Sequence, residues 1–556
     1  MELKYAMLSS DLVLTSKTPD IELPNKYISE VLYNRLTEHG DKTIFIEGPT
    51  GERMSGIQVR DTASTIAHAL LDHGVRQEDV IFGYCHNTSL HGCCILATAA
   101  IGTVYTGCMH THPVRDMEFQ LRDAEGKVVL CSLANLPIAV QACQTCPLVT
   151  LIIVLDSHLQ EKENIHDSTV KIISIYDILD RRAKDSDIKL PIIPLDLPPE
   201  KSIAYSMYSS GTTGNPKGVL KTHKNTIAVC MNPEPRMNFT GSTSNIITCH
   251  SPMPHTSGTM TLINAMYGGQ TVVINDGFKL ETFLCSVEKY RVNLAYLAPA
   301  YIIILSKSAE IVNKYDISTL KSVVTGGSPL PDSVVDTFVD VMKVDRLWQV
   351  YGMTESGLVT GVDPEVKSTK TVGRPMRGVQ MKFIDRETGQ ALGPNQVGEV
   401  FIMSPENTIG YFKRPDADAE NLTPDGWIRS GDAAYFDEDG LIYIVDRYKE
   451  IIKYDTCQVA PSELESILLT HESVAEAAVV GIPDEIHGEI PRAFVVPKDP
   501  TGNHSEEELL SFVNRQVASI KHIRGGIMFV QSLPKISLGK VDRVTLKKKP
   551  ESLVLL

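Results

Sequence analysis

One stretch constrains this chain more than any other: YSSGTTGNPKG, residues 208–218. Within eleven residues it holds the hydroxyls of Ser209, Ser210, Thr212 and Thr213, the glycines Gly211, Gly214 and Gly218, and Lys217. Few side chains obstruct such a loop. Its backbone N–H groups and hydroxyls can converge on phosphate oxygens, and the lysine adds a positive charge. It is not a Walker A loop, because Pro216 precedes Lys217 and Gly218 follows it. The apolar run 202–208 is expected to be a strand feeding the loop, with helix from His223, giving a strand–loop–helix unit.

The rest of the chain supplies a scaffold. Its 556 residues allow two to four domains. Ile57 to Leu71 has helical spacing; Val80 to Cys85, Val128 to Cys131 and Thr150 to Leu155 are short apolar runs typical of buried parallel strands. This is α/β order. A proline cluster at residues 191–199 marks a linker. A second α/β stretch, about 246–350, has three strand-ending loops of small and polar residues: 251–255 (SPMPH), 325–330 (TGGSPL) and 348–356 (WQVYGMTES). Ligands of open parallel sheets bind beyond such carboxyl ends. From about residue 371 the pattern turns β-rich, with strands at Val397 to Met403 and Leu441 to Val445 and a hairpin turn at 437–440. Asp432 lies just before that turn, and a small α+β domain follows to the end, with Lys540 on its last loop.

Composition excludes several classes. A net charge of -15 argues against a nucleic-acid or anionic-membrane partner. The eleven cysteines have no framework spacing, as free thiols in a reducing compartment would. Cys143 and Cys146 form a lone CxxC, expected to be structural. His110 and His112 flank Thr111, but no third metal ligand stands at useful spacing in sequence, and a polar loop is expected there. No apolar run reaches the roughly 20 residues of a membrane span. The segment Gly92 to Cys108 reads as a buried helix. The chain ends Leu-Val-Leu-Leu rather than in a Ser-Lys-Leu peroxisomal address, so the cytoplasm is the default expectation, with the peroxisome an alternative.

In order and spacing, YSSGTTGNPKG, YGMTES, SGD (430–432), VDRYKE (445–450), QVAPSELE (458–465) and LPKISLGK (533–540) resemble the adenylate-forming superfamily, in the branch of firefly luciferases, 4-coumarate-CoA ligases and acyl-CoA synthetases. The resemblance spans residues 25–548. It implies two α/β subdomains plus a β-barrel in residues 1–446, and a mobile lid in 447–556 hinged near Arg447 to Lys449. It implies ATP, Mg²⁺ and CoA, and a carboxylic acid that is adenylated and then transferred to a thiol. A medium- or long-chain fatty acid is expected, with an aryl acid or a luciferase-like oxidation as alternatives, and the protein is expected to be a monomer or weak homodimer.

The same resemblance assigns roles. Lys540 reaches the substrate carboxylate and α-phosphate. Thr354 bonds the α-phosphate, and Glu355 holds Mg²⁺. Asp432, with Arg447 beside it, takes the ribose hydroxyls. Tyr351 stacks on adenine, framed by Gly326, Gly327 and Ser328 and followed by Gly352. His255 shapes the acyl pocket and the passage to the thiol. Ser209, Ser210, Gly211, Thr212, Thr213, Gly214 and Lys217 hold phosphate; Lys453 and Gln458 belong to the lid or the CoA path. Three departures stand out. Asp455-Thr456-Cys457 replaces the family's Lys-Gly-aromatic, Leu538 replaces a serine or threonine, and Thr256-Ser257-Gly258 follows His255, where luciferases hold luciferin with aromatic and glycine residues.

Overall fold

The computed structural model describes the chain except residues 160–169, 183–194, 210–215, 232–244, 329, 331, 362–364, 367, 369, 455–456, 503, 536–539, 549, 551–552 and 556, and the side chains of 332, 333, 457 and 458. It is a mixed α/β structure, with a large N-terminal region containing a half-barrel sheet and a separate C-terminal domain.

Two seven-stranded sheets form the N-terminal framework. The first runs in the order Lys217–Thr222, Ile203–Ser209, Val104–Gly107, Val80–Tyr84, Gly126–Cys131, Leu151–Val154 and Lys171–Ser174. The second runs Arg346–Val350, Ser322–Gly326, Leu294–Tyr296, Ile246–Cys249, Thr271–Ile274, Thr43–Glu47 and Arg53–Ser55. Both are parallel except at one edge, where Lys217–Thr222 and Arg53–Ser55 pair antiparallel. Every residue of Leu151–Val154 is buried, which explains its unbroken apolar run.

One core joins the two sheets. It mixes their side chains with those of helices Ile28–His39, Gly56–Asp72, Ser89–Ala100, His223–Met231 and Thr256–Gly268, which therefore form a shared layer. Ser89–Ala100 is buried on all faces except at Leu90, as a helix between two sheets must be. Gly56–Asp72 begins with a capping box between Ser55 and Gln58, which satisfies two otherwise orphaned backbone donors.

The half-barrel is a six-stranded antiparallel sheet: Ala6–Leu8, Leu14–Ser16, Gln380–Ile384, Gly398–Met403, Ile428–Phe436 and Ile442–Arg447. Two of its strands come from the extreme N-terminus. In the C-terminal domain, Cys457–Val459, Ile452–Tyr454, Gly488–Pro497 and Val474–Asp484 form a sheet, with Ile527–Phe529 added parallel to Gly488–Pro497. Helices Pro461–Thr470 and Glu506–Asn514 cover it and share its core.

The structure corrects one expectation. The phosphate-loop candidate joins two antiparallel strands, Ile203–Ser209 and Lys217–Thr222, so the unit is strand–loop–strand, and helix His223–Met231 starts only after the second strand. No helix N-terminus directly follows that loop. Thr43–Glu47 and Arg53–Ser55, early in the chain, belong to the second sheet. Cys143 and Cys146 are free and buried. Among the described residues, no helix is long and apolar enough to cross a membrane.

Candidate active site

The carboxyl ends of the second sheet, one face of the half-barrel and Lys540 of the C-terminal domain converge on one cleft. Strand Ser322–Gly326 delivers Gly326, Gly327 and Ser328. A Cβ on Gly326 would meet the Val350 carbonyl at 2.6 Å, and Gly327 has φ +96, so the backbone at both positions needs glycine. The next strand, Arg346–Val350, pairs Val350 with Gly326 and leads into Tyr351.

From Tyr351 the chain makes a tight hairpin, Gly352–Met353 against Gly357–Leu358, with Thr354 and Glu355 at its tip. A Cβ on Gly352 would lie 2.5 Å from the Gly357 carbonyl. Glu355 is buried. Its backbone carbonyl accepts from Thr408 N–H at 2.7 Å and from the Lys221 ammonium at 2.9 Å, and its carboxylate accepts from the Tyr411 hydroxyl at 3.0 Å. Lys221 also donates to the Glu406 carbonyl at 2.5 Å. Burial pushes the Lys221 amine down to about 8, with Glu406 and Glu355 opposing the shift. Lys217 lies 5.6 Å over the Tyr411 ring, which links the hairpin lysine to Glu355 through one aromatic side chain.

Asp432 and Arg447 face each other across two half-barrel strands. Arg447 Nε is 3.2 Å from Asp432 Oδ1, and the Tyr351 hydroxyl donates to Oδ2 at 2.6 Å. The Asp432 side chain is 8% exposed against 43% for Arg447, so this pair has one buried end and one wet end. Burial raises the Asp432 carboxyl above the usual range, while Arg447, Tyr351 and Lys540 hold it down. The Tyr351 ring packs into the half-barrel core and is 8% exposed.

Lys540 reaches this cleft from the C-terminal domain. A methyl on Gly327 would stand 3.8 Å from its Cε. The side chain is exposed along part of its length, yet protein crowds its amine. That crowding lowers its pKa, as does Arg447, while Asp432 and Glu355 raise it. His255 caps helix Thr256–Gly268: its Nδ1 accepts from Ser257 N–H at 3.2 Å. An N–H can only donate, so the proton of the neutral ring is on Nε2. The cleft's desolvation and then the Lys540 charge push His255 down to about 4, so the ring is neutral at pH 7.

Lys540, Asp432, Arg447, Glu355, His255 and Gly327 are thus neighbours, although 285 positions separate His255 from Lys540 in a chain of 556. Ser209 pairs with Lys217 at the loop end of its hairpin. Ser210, Gly211, Thr212, Thr213 and Gly214 lie outside the described residues, as do Asp455, Thr456, Leu538 and the side chains of Cys457 and Gln458. Lys453 is exposed on the C-terminal sheet, its N–H donating to the Glu489 carboxylate at 3.0 Å. The motifs did not single out Lys221, Glu406 or Tyr411. Lys221 did leave a trace, a lysine two residues from buried Val219 and so on the same face of its strand.

The family described as AMP-binding enzyme matches residues 32–412, and the AMP-binding enzyme C-terminal domain matches residues 463–540. The chain belongs to the AMP-binding enzyme family. It is an adenylate-forming enzyme of the CoA-ligase type, for which ATP and CoA are substrates. This AMP-binding enzyme is 32% identical over 545 residues to "Probable CoA ligase CCL5" of Humulus lupulus, covering 97% of this chain and 96% of that one. It is 33% identical over 492 residues to "Luciferin 4-monooxygenase" of Photuris pensylvanica, covering 87% of each. The solved anthranilate CoA ligase AuaEII in complex with anthranoyl-AMP superposes with a TM-score of 0.82 over 94% of this chain and 97% of that one; at 23% identity this likeness is one of fold.

Proposed function

We propose that this enzyme joins a hydrophobic carboxylic acid, a medium- or long-chain fatty acid, to CoA through an acyl-adenylate. The observation carrying this reading is the Lys540 amine in one cleft with Asp432, Arg447, Glu355 and His255. In the first step a substrate carboxylate oxygen attacks the α-phosphorus of ATP. The bond to the β-phosphate oxygen breaks and pyrophosphate leaves. Lys540 holds the incoming carboxylate and the α-phosphate together, lowering their repulsion as charge builds on phosphorus. Thr354 donates its hydroxyl to the α-phosphate. Asp432 accepts from the ribose hydroxyls with Arg447 steadying it, and adenine lies between Gly326–Ser328 and Tyr351. Ser209 to Gly214 and Lys217 hold the outer phosphates.

Glu355 suits Mg²⁺: it offers one buried, hard carboxylate, the donor set that this ion takes together with substrate phosphates. Glu355 would hold the ion there, and the ion would supply neutralisation of charge on the phosphate oxygens. His255, neutral at pH 7, adds no repelling or competing charge beside Lys540. In the second step the CoA thiolate attacks the acyl carbonyl, a C–S bond forms and AMP leaves. We place the boundary of the moving lid at residues 446–447 and assign Lys453 and Gln458 to its CoA-side face.

A panel of fatty and aryl acids, each with Mg-ATP and with or without CoA, tests the reading through pyrophosphate release and thioester formation. Release that requires a fatty acid, with the fatty acyl-CoA as product, is expected. A response confined to aryl acids replaces the fatty substrate with an aryl one, the class named in similar proteins such as "4-coumarate--CoA ligase 2" of Petroselinum crispum. Release without thioester favours adenylation followed by oxidation, the reading that Asp455 and Thr456 support.

A further inference from the structure

The sequence places His110 in a polar loop, with no third ligand at useful spacing. The fold supplies the partners from elsewhere. His86 follows strand Val80–Tyr84, His110 follows Val104–Gly107, and Asp276 follows Thr271–Ile274 of the other sheet. His86 Nε2 is 3.6 Å and His110 Nε2 is 3.5 Å from the same oxygen, Asp276 Oδ2. One ligand atom from each of the three side chains lies within 4.8 Å of the others, and the two imidazole rings are 4.2 Å apart. His112 is not in this group; its carbonyl accepts from the Tyr84 hydroxyl at 2.7 Å.

We propose that His86, His110 and Asp276 bind a divalent ion of the zinc class, clamping the first sheet to the second. Two imidazoles and one carboxylate are the donors such ions take, and a hard ion such as Mg²⁺ does not favour them. Tetrahedral bonds of about 2.0–2.1 Å set neighbouring ligand atoms about 3.4 Å apart. The two separations from Asp276 Oδ2, 3.6 and 3.5 Å, are within a few tenths of an ångström of that. The side chains are 33%, 21% and 36% exposed, so an ion can enter and water can complete its shell.

The supporting structure favours the same reading. Gly83 pairs with Gly107, and a Cβ on Gly107 would lie 2.3 Å from the Gly83 carbonyl, so the strands bearing the two histidine loops approach closely there. Asp276 Oδ1 accepts from Asn87 N–H at 3.3 Å, which orients the carboxylate, as outer partners do at metal sites. The Asn87 side chain binds Ser251 O at 2.9 Å, Asn275 O at 3.1 Å and Met253 N–H at 3.0 Å. An ion at this place would brace the 251–255 loop that ends in His255.

The test is equilibrium dialysis of the full chain, stripped with a chelator and then exposed to Zn²⁺ or Mg²⁺, with bound metal counted by atomic emission. One zinc per chain and a zinc-dependent, magnesium-independent rise in melting temperature are expected. His110→Gln and Asp276→Asn, each checked for folding by circular dichroism, should bind zinc at least about tenfold more weakly, the scale on which even outer partners act. Co²⁺ gives a second readout in the unaltered protein: intense visible bands of a low-coordinate site support the proposal. No zinc uptake, uptake unchanged in folded variants, or only the pale spectrum of hydrated cobalt overturns it. None of these readouts uses catalysis, so they stand apart from the ligase reading.

Discussion

At the scale of single residues, charge placement decides what the cleft can do. Lys540 is the one proposed catalytic group that the C-terminal domain brings in, and protein crowding already lowers its pKa. Lys540→Ala is expected to reduce acid-dependent pyrophosphate release by about 10²–10³-fold, the range for removing one preorganised stabiliser of developing charge. Full release in that variant would remove Lys540 from the mechanism. Asp432→Asn keeps shape but takes away the charge that Arg447 and Tyr351 serve. A hydrogen bond to a charged group contributes about 1.5–3 kcal/mol, so KM for ATP should rise roughly 10–100-fold, as steady-state kinetics will read. These positions were legible because motif chemistry is local: a Thr-Glu pair or an SGD turn carries its meaning in a few residues. Lys221 and Tyr411 were not, because each acts on Glu355 through contacts that only the fold creates.

Elements carry the next level of control. Helix Pro299–Ser306 buries Ile302 and Leu305 in the core of the second sheet. At its C-terminal cap, Lys307 donates to the carbonyls of Ala475 at 2.9 Å and Val474 at 3.4 Å, on a strand of the C-terminal domain. It is one contact between the domains in the orientation that places Lys540 beside Gly327. Lys307 is exposed, so water offsets much of its loss. Lys307→Ala is expected to slow adenylation by a few-fold and leave chemical denaturation midpoints almost unchanged. A larger effect on unfolding than on pyrophosphate release would show that the contact is merely structural. Thr456→Gly is expected to raise thioester formation while leaving pyrophosphate release as it was, since glycine adopts backbone conformations that a β-branched residue resists. No gain in thioester rate would clear Thr456 of any braking role. Element types were readable from apolar periodicity, as Gly56–Asp72 and Pro461–Thr470 illustrate. Partners were not: Leu14–Ser16 pairs with Gln380–Ile384, and no pattern within three residues encodes a neighbour that far along the chain.

For the molecule as a whole, buried histidines set the response to acid. His91 and His250 are pushed down to about 4 and His223 to about 3, in each case chiefly by burial. Their ordinary value is 6.5, so between about 4 and 6.5 the unfolded chain binds protons that the folded chain does not. Stability therefore falls as pH drops through that window and is fully present above it. Each such group contributes a slope of about 1.4 kcal/mol per pH unit within the window. Urea midpoints measured from pH 7 down to 4.5 should decline steadily, and a flat profile would contradict the burial of these rings.

Arg447 ends the last half-barrel strand and opens the turn into the C-terminal domain, where its carbonyl accepts from the N–H groups of Glu450 and Ile451 at 2.9 and 3.0 Å. Its guanidinium meanwhile engages the aspartate proposed for the sugar. One residue thus belongs to both the proposed grip and the proposed pivot. Thermodynamic reciprocity then applies: if nucleotide favours one orientation of the C-terminal domain by some factor, fixing that orientation must tighten nucleotide by the same factor. If Arg447 couples the two in that way, affinity for ATP is a property of posture as much as of pocket.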